Sequence, residues 1–348
     1  MMPEEWPIAA VAADGDSPAR LAGRGRLATV RRDFFLDAAK RLTEQERALM
    51  TAMLHCLVGD VAAAVRAALP TGRPAANDDG DSALVAALVG AGLLDEPGLM
   101  SVLLRRADEE RISTAARARS GRREARVLQG LVSHDYGAVA AGAMALILAR
   151  GRRRDRFSQC LIAFDDLPVA SAEALVHAVA AALRRELTAG KSRPRADREL
   201  AEASEKVLDQ RDEERGTDAL TASLVHFLDE SGGLNDELVL AAANEGEVAF
   251  VAEVMARRAG VTTDSALDEL LSGNARHVMA LLRIAGMSRA LSAGLLAGIG
   301  DLLGIGDAGE AISLFDQMTD EDVEGVRSWL LTAPAYRNAL ERLGQGRG

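Results

Sequence analysis

The chain has 348 residues, a formal net charge of −11, and 48% hydrophobic but only 3% aromatic residues. This length can bury a large core and corresponds to about two domains or one elongated array. Its two cysteines, Cys56 and Cys160, are far apart, which excludes a disulfide framework as the organising feature. A core made of Ala, Leu, Val, Ile and Met favours helices packed at short distance.

Charge is distributed unevenly along the chain. Residues 1–195 carry 28 Lys and Arg against 24 Asp and Glu, whereas residues 196–348 carry 13 against 28. An acidic half repels nucleic-acid phosphates, so a polyanion is expected to bind only the N-terminal half. The first residues do not resemble a secretory signal, and the longest apolar run, 137–149, is too short to cross a bilayer. We therefore expect a cytoplasmic protein with no segment inserted in a membrane.

The N-terminal half is predicted to be a disordered tail at 1–29 followed by a helical subdomain at 30–190. Thr43 and Glu46 form a capping box ahead of an apolar stripe from Leu49 to Val65, and that helix ends by Pro70. A second helix is predicted to stop at Gly90. Further helices are predicted at 96–106, 113–131, 138–149, 157–164 and 171–187.

Residues 191–216 are charged almost throughout, which predicts a solvated connecting helix after Pro194 and a boundary between two subdomains. Residues 217–334 are predicted to be a C-terminal subdomain of helical repeats. Helices at about 291–303, 308–317 and 320–331 continue it, and Pro334 ends it. Residues 335–348 are predicted to be a C-terminal tail.

The repeat consists of two blocks that end alike, RRAGVT at 257–262 and RIAGMS at 283–288. A glycine-centred break precedes each block, Gly246 before the first and Gly273 before the second, so the unit is a helical hairpin of 26 to 27 residues. Gly260 and Gly286 suit the left-handed position that follows a helix. The hydroxyl residues two positions later, Thr262 and Ser288, can cap the next helix. Each hairpin has too little core to stand alone, so the hairpins are expected to stack.

The segment from Thr217 to Ser288, together with LTEQERALMTAMLHCLVGDVAAAVRAALP near the start, resembles the bacterial domain-of-unknown-function family numbered 2336. The similarity extends from about Thr29 to Trp329. It includes the break at Gly246 before a long apolar helix and the Gly273-Asn274 turn. The resemblance implies an all-α fold of HEAT-like repeats forming an α-solenoid-like array, with no established activity and no catalytic residues. The hairpins are shorter than the usual HEAT unit of about 40 residues.

Arginines concentrated between residues 105 and 156 are the main candidates for binding a partner. On a shared face they would form a strip for phosphates or for an acidic protein surface. The alternative is that they are solvated and paired with neighbours such as Glu109, Glu110 and Asp155. The candidate residues are Arg117, Arg119, Arg122, Arg123, Arg126, Arg152, Arg153 and Arg154.

No motif in the sequence indicates catalysis, a cofactor or a metal. The five histidines are isolated from one another and from the cysteines, and neither zinc-ligand spacing nor a phosphate-binding loop with lysine occurs. The glycines of Gly298–Gly304 are interpreted as close helix packing, because a dinucleotide site requires a preceding strand. We therefore expect neither cofactor nor metal, and no enzymatic activity.

Two classes of function remain at this point. The first is a non-enzymatic scaffold or regulator that binds another protein through stacked helical hairpins. The second is a nucleic-acid-binding helical-repeat protein that uses the arginine-rich half, a class that includes DNA-processing enzymes. The acidic C-terminal half and the scarcity of aromatic residues count against the second. A homodimer formed through the stripe from Leu49 to Val65 is a further possibility, although such a stripe is more often core.

Overall fold

The computed structural model describes residues 42–70, 78–121, 126–155, 158–188, 192–333, 336–337, 339–340 and 343. Within these residues the protein is all-helical, with fifteen α-helices and no β-strand. The predicted tail at 1–29 lies outside the described residues, as does most of the predicted tail at 335–348. Contacts divide the chain into two compact units, Met1–Arg47 and Ala48–Gly348.

The helices are short to medium in length and are joined mostly by tight turns. In chain order they are α1 (Glu44–Ala68), α2 (Asp78–Gly90), α3 (Pro97–Ser120), α4 (Arg126–Leu131), α5 (Gly137–Arg152), α6 (Val169–Thr188), α7 (Arg193–Asp209), α8 (Thr217–Glu230), α9 (Asp236–Asn244), α10 (Val248–Ala259), α11 (Thr263–Leu270), α12 (Ala275–Ile284), α13 (Arg289–Leu295), α14 (Ala308–Gln317) and α15 (Asp320–Leu330). A π-helical turn, Leu296–Gly300, continues α13.

The predicted start of α1 is confirmed. The Glu46 amide donates to Thr43 Oγ1 at 3.2 Å, and the Thr43 amide donates to Glu46 Oε2 at 2.8 Å. The predicted separation of helices 96–106 and 113–131 is wrong, because α3 is continuous from Pro97 to Ser120. Ala107 and Ile112 are fully buried on its inner face, so packing continues the helix through the charged residues between them.

The helix predicted at 157–164 is also wrong, because the described residues 158–163 form a loop that ends in a short 3₁₀ turn at Phe164–Asp166. Side chains satisfy its backbone groups: the Gln159 amide donates to Asp155 Oδ1 at 2.8 Å and the Ala163 amide to Asp166 Oδ2 at 2.9 Å. Aspartates that bind nearby amides give the backbone an alternative to the helix.

Helix α5 packs directly on α8, although more than sixty residues separate them in the chain. Between them, α6 and α7 form a hairpin that packs on α2 and α3 through α6. The segment predicted as a connecting helix at 191–216 therefore contains α7. One face of α7 is buried, including Ala196, Leu200, Ala203 and Val207, and the rest is exposed and charged.

The C-terminal hairpins have the local geometry that their sequence signals predict. The repeat-turn glycines all have positive φ: 73° at Gly246, 69° at Gly260, 68° at Gly273 and 67° at Gly286. Thr262 and Ser288 are confirmed as helix caps, because their hydroxyls accept from the amides three residues later at 3.2 Å. Helices α8 to α14 share one core with α3, α4 and α5, and Phe250 of α10 is its largest fully buried side chain.

Among the described residues, α1 is the one helix whose length and hydropathy would suffice to cross a membrane. In its most apolar stretch, 39% of the residues are buried inside the protein, including Met53, Leu57 and Val61. A core helix meets the same criteria, so this finding is weak evidence for a membrane span. Arg66, near the end of α1, is buried and forms ion pairs with Asp81 and Glu186.

Candidate interaction surfaces

Among the described candidate arginines, Arg117 and Arg119 lie on α3 and Arg126 is the first residue of α4. The candidates Arg152, Arg153 and Arg154 lie at the end of α5 or directly after it. Arg122 and Arg123 lie outside the described residues. Arg119, on the last turn of α3, forms a bidentate ion pair with Asp301, which follows the π-helical turn. Its guanidinium therefore joins α3 to the C-terminal half of the molecule.

Arg153 is the most firmly held of the candidates. Its Nε donates to Asp166 Oδ2 at 2.6 Å and its Nη2 to Asp166 Oδ1 at 3.0 Å. Asp166 also accepts from the backbone amide of Thr217 at 2.8 Å, so it joins the end of α5 to the start of α8. Burial alone would raise the pKa of the Asp166 carboxyl, but the hydrogen bonds from Arg153 and the charge of Arg106 hold that pKa below its ordinary value.

Arg154 is paired with Glu110 of α3 through two hydrogen bonds, at 3.0 and 2.8 Å. Arg117 donates to Ser113 Oγ at 3.0 Å, four residues earlier on the same helix. The side chains of Arg126 and Arg152 are exposed, and the Arg152 Nε donates to the Leu148 carbonyl at 3.4 Å. The structure thus engages Arg119, Arg153 and Arg154 in intramolecular ion pairs and leaves Arg126 and Arg152 on the surface.

A cavity of about 510 Å³ lies beside Arg153 and Arg154, between α3, α5, α8 and α10. Its charged lining side chains are Arg106, Glu109, Glu110, Arg117, Arg150, Arg153, Arg154 and Glu247. Most of these charges are matched: Arg150 with Glu247 and Arg154 with Glu110 pair across the cavity, and Arg106 pairs with Glu109 within α3. The cavity wall is therefore a network of ion pairs that fixes four helices relative to one another.

The turn between α9 and α10 approaches α3 closely. A Cβ atom at Gly246 would lie 2.7 Å from Ser113 Cα and 2.9 Å from the Ile112 carbonyl oxygen, so only glycine fits there. The buried Glu245 carboxylate accepts the amides of Arg126 at 3.1 Å and Val127 at 3.0 Å, which caps the start of α4. This one turn therefore positions α3 and α4 against the C-terminal core.

Helix α5 has two apolar faces. Neither of them is predicted from the sequence as a binding site. Its inner face buries Val139, Ala143, Leu146 and Ala149 against α8 and α4. On the opposite face Met144 and Leu148 are 43% and 55% exposed. The other residues of this face are small. We define the outer face of α5 as Gly137, Ala141, Met144, Leu148 and Gly151.

The outer face of α5 was detectable in the sequence only as the apolar run at 137–149. That run shows helical spacing on both sides, which indicates a helix with no polar face for solvent. Which side packs on α8 depends on the tertiary fold, so the sequence alone could not identify the exposed residues. Asp166 and Glu245 were missed for the same reason, since their partners lie more than ten residues away.

Close packing explains the glycines of residues 298–304, as the sequence interpretation proposes. A Cβ atom at Gly298 would overlap the Asn244 side chain at the end of α9, and one at Gly304 would lie 3.2 Å from Gly273 Cα. No group of three or more histidine, cysteine or acidic side chains in the described part of the chain is arranged to hold a metal ion. Burial and nearby charges raise the pKa of the Cys160 thiol to about 11, so it is protonated at neutral pH.

An all-helical fold with a shared core, tight glycine turns and no strand in the described residues defines an all-α protein. The family described as an uncharacterised protein conserved in bacteria, DUF2336, matches residues 113–327. The chain belongs to this family. The match includes α8 to α14 and begins within α3, so it is shorter at its N-terminal side than the resemblance predicted. No curated protein and no solved structure matches the chain.

Proposed function

We propose that the protein is a non-enzymatic interaction scaffold of the bacterial cytoplasm. In this proposal the helical hairpins of residues 217–334 stack as a HEAT-like array, and the protein binds another protein chain. The observation that carries the proposal is the outer face of α5. Met144 and Leu148 are exposed on it, while the opposite face of the same helix is buried.

A helix that is apolar on all sides is normally covered on all sides, because exposed apolar surface is unfavourable in water. Fully burying an exposed Met or Leu side chain yields about 1.5–3 kcal/mol. Met144 and Leu148 are about half exposed, so covering them yields about 1 kcal/mol each. The array of α8 to α14 provides a rigid support, since its core is continuous with the inner face of α5. A preorganised apolar face on a rigid support loses little entropy when it binds a partner.

The ion pairs of the arginines favour a protein partner over nucleic acid. A phosphate backbone is bound by arginine and lysine side chains whose charge is available to it. Here Arg119, Arg153 and Arg154 are matched by Asp301, Asp166 and Glu110. An additional phosphate would have to displace those carboxylates.

Affinity capture of the tagged full chain from cells of its source, with nuclease treatment, tests the proposal. The Leu148→Glu variant places a charge in the middle of the outer face of α5. The matched control is Leu331→Glu, because Leu331 is also exposed, at 61%, but lies at the end of α15. We expect the wild type and the control to retain the same protein, and Leu148→Glu to lose it. Identical capture by all three, or capture that disappears with nuclease, would contradict the proposal.

A further inference from the structure

We propose that the outer face of α5 is covered by the same face of a second copy of this chain, packed antiparallel about Met144. This inference rests on the proposed function, because it names the partner of the face that carries it. Three properties of the face support a self-association: its spacing, its symmetry and the charges at its two ends.

The spacing is that of a helix–helix seam. The outer-face residues follow one another at intervals of four, three, four and three, from Gly137 through Ala141, Met144 and Leu148 to Gly151. Alternating steps of three and four place side chains in a stripe nearly parallel to the helix axis, and a second helix covers such a stripe. The small residues of this stripe allow the two backbones to approach closely.

The stripe is also nearly symmetric about its centre. Met144 lies seven residues from both Gly137 and Gly151. In an antiparallel pair about Met144, Gly137 of one copy therefore lies opposite Gly151 of the other. Leu148 meets the partner at Ala140 and Ala141, so a large side chain faces small ones. A surface that is complementary to itself in this way is what a twofold dimer requires.

The two ends of the stripe carry opposite charges. Asp135 is exposed just before the start of α5, and Arg152 is exposed as its last residue. Antiparallel packing places the Asp135 end of each copy at the Arg152 end of the other. A parallel arrangement would place like charges together instead. Charge complementarity therefore selects the antiparallel arrangement and a second copy as the occupant.

The expected interface is small. Helix α5 has 16 residues and is about 24 Å long, so a single helix pair covers less area than a standard protein interface. We therefore expect a reversible monomer–dimer equilibrium whose position depends on concentration. Sedimentation equilibrium of the full chain from about 1 µM to about 100 µM covers the range where such a dimer forms.

Sedimentation of three full-length proteins tests the dimer. The average mass of the wild type and of the Leu331→Glu control is expected to rise from monomer towards dimer across the concentration series. Leu148→Glu is expected to stay monomeric while its helical circular dichroism is unchanged, because Leu148 is exposed in the single chain. A monomeric wild type at every concentration overturns the inference.

A charge exchange tests the antiparallel register. Asp135→Arg and Arg152→Glu each place like charges together at both ends of the pair, so each variant is expected to weaken the dimer about tenfold. The double variant restores opposite charges and is expected to regain wild-type dimerisation. A double variant as weak as the single ones contradicts the antiparallel arrangement. Leu148→Glu tests the face itself and the charge variants test its orientation, so the two tests are separable.

A cysteine at the centre of the face reports the symmetry directly. In a Cys56→Ser, Cys160→Ser background, Met144→Cys is expected to form a disulfide between copies under mild oxidation, and Leu331→Cys is not. Equal cross-linking of both variants overturns the inference. If the chain is monomeric but Leu148→Glu still loses a captured protein, only the inference fails. If Leu148→Glu also captures the same proteins as the wild type, the proposed function fails as well.

Discussion

Helix α3 and the C-terminal hairpins are held by different kinds of contact. The hairpins use local contacts, such as the hydroxyls of Thr262 and Ser288, which cap the helix that follows them. Helix α3 instead uses arginines whose partners are far away in the chain: Arg105 donates to Asp264 at 2.8 Å, and Arg111 donates to the Leu302 carbonyl at 3.0 Å. The difference shows that an arginine-rich helix can be a structural connection rather than a binding strip.

The same contrast exists between two turns with nearly identical backbone geometry. Gly246 and Gly286 have φ values of 73° and 67°. A Cβ atom at Gly286 would meet nothing within 4 Å, whereas at Gly246 it would overlap the backbone of α3. The turn at Gly286 therefore only reverses the chain locally, whereas the turn at Gly246 also contacts α3, which is distant in the sequence.

Replacing Gly246 is expected to have the largest effect on stability. Gly246→Ala combines an unfavourable left-handed φ with overlap against a helix backbone that cannot move away, for a loss of about 4 kcal/mol. Gly286→Ala has only the cost of the left-handed φ, about 1 kcal/mol. Urea unfolding followed by circular dichroism measures both values. Equal losses would show that α3 does not press on the turn.

Removing the carboxylate charge of Asp166 is expected to have the next largest effect. Asp166→Asn leaves the mostly buried Arg153 without its ion pair, which costs about 3 kcal/mol. The matched control, Asp301→Asn, breaks the exposed pair with Arg119 and is expected to leave stability unchanged within error. A large effect of the control would mean that exposed ion pairs stabilise the fold as much as buried ones do.

The effect of Asp166→Asn also depends on pH. The folded pKa of Asp166 lies below its ordinary value of 3.8, so its ionised form favours the folded state. The stability difference between wild type and variant is therefore complete at pH 7 and is lost as the pH falls through the folded pKa. Unfolding free energies measured between pH 7 and pH 3 test this sign. A difference that grows on acidification would contradict it.

Removing a local cap is expected to have a smaller effect. Thr262→Ala removes the hydroxyl that accepts the Ser265 amide at the start of α11, which costs about 1 kcal/mol. Thr262→Ser keeps a hydroxyl at this position and serves as the control. The measurement is again urea unfolding. A cost as large as that of Asp166→Asn would mean that the hairpins are not held mainly by independent local contacts.

Replacing Asp268 of α11 is expected to change stability only near neutral pH. Asp268 is exposed, but the desolvation that remains and the charge of Asp264 raise its pKa to about 6, and the positive charges of Arg337 and Arg105 only partly oppose this. An acid with a raised folded pKa stabilises the folded state at low pH, and this contribution is lost as the pH rises through about 6. Asp268→Asn is therefore expected to raise the melting temperature at pH 7 but not at pH 4. The exposed Glu237→Gln variant is the control.

Much of the fold could be predicted from local signals. The T-x-x-E pattern at Thr43 defines the start of α1, and Asp320–Leu330 lies within one residue of the predicted helix. The predictions failed at 107–112 and at 158–163. In the first segment buried Ala107 and Ile112 continue the helix despite its charges, and in the second two aspartates bind the backbone amides. Both outcomes depend on packing or side-chain contacts that periodicity does not represent.

The candidate surface was less predictable than the fold. The clustering of arginines is visible in the sequence, but the carboxylates that pair with Arg119 and Arg154 are 182 and 44 residues away. Conversely, the apolar run of α5 is visible in the sequence, but both faces of the helix are apolar. Only the packing of α8 shows which face is buried. A residue is exposed only if no other segment packs on it, so identifying the exposed residues requires the structure of the whole fold.

The sequence by itself determined that this protein is helical, where most of its hairpin turns lie and which residues cap them. These features depend on contacts within a few residues, where propensity, capping and glycine geometry act. Only the tertiary structure decided that the arginines join α3 to the C-terminal core, that Gly246 must be glycine for steric reasons, and which face of α5 is exposed. These depend on which distant segments meet, and that outcome depends on packing of the entire chain.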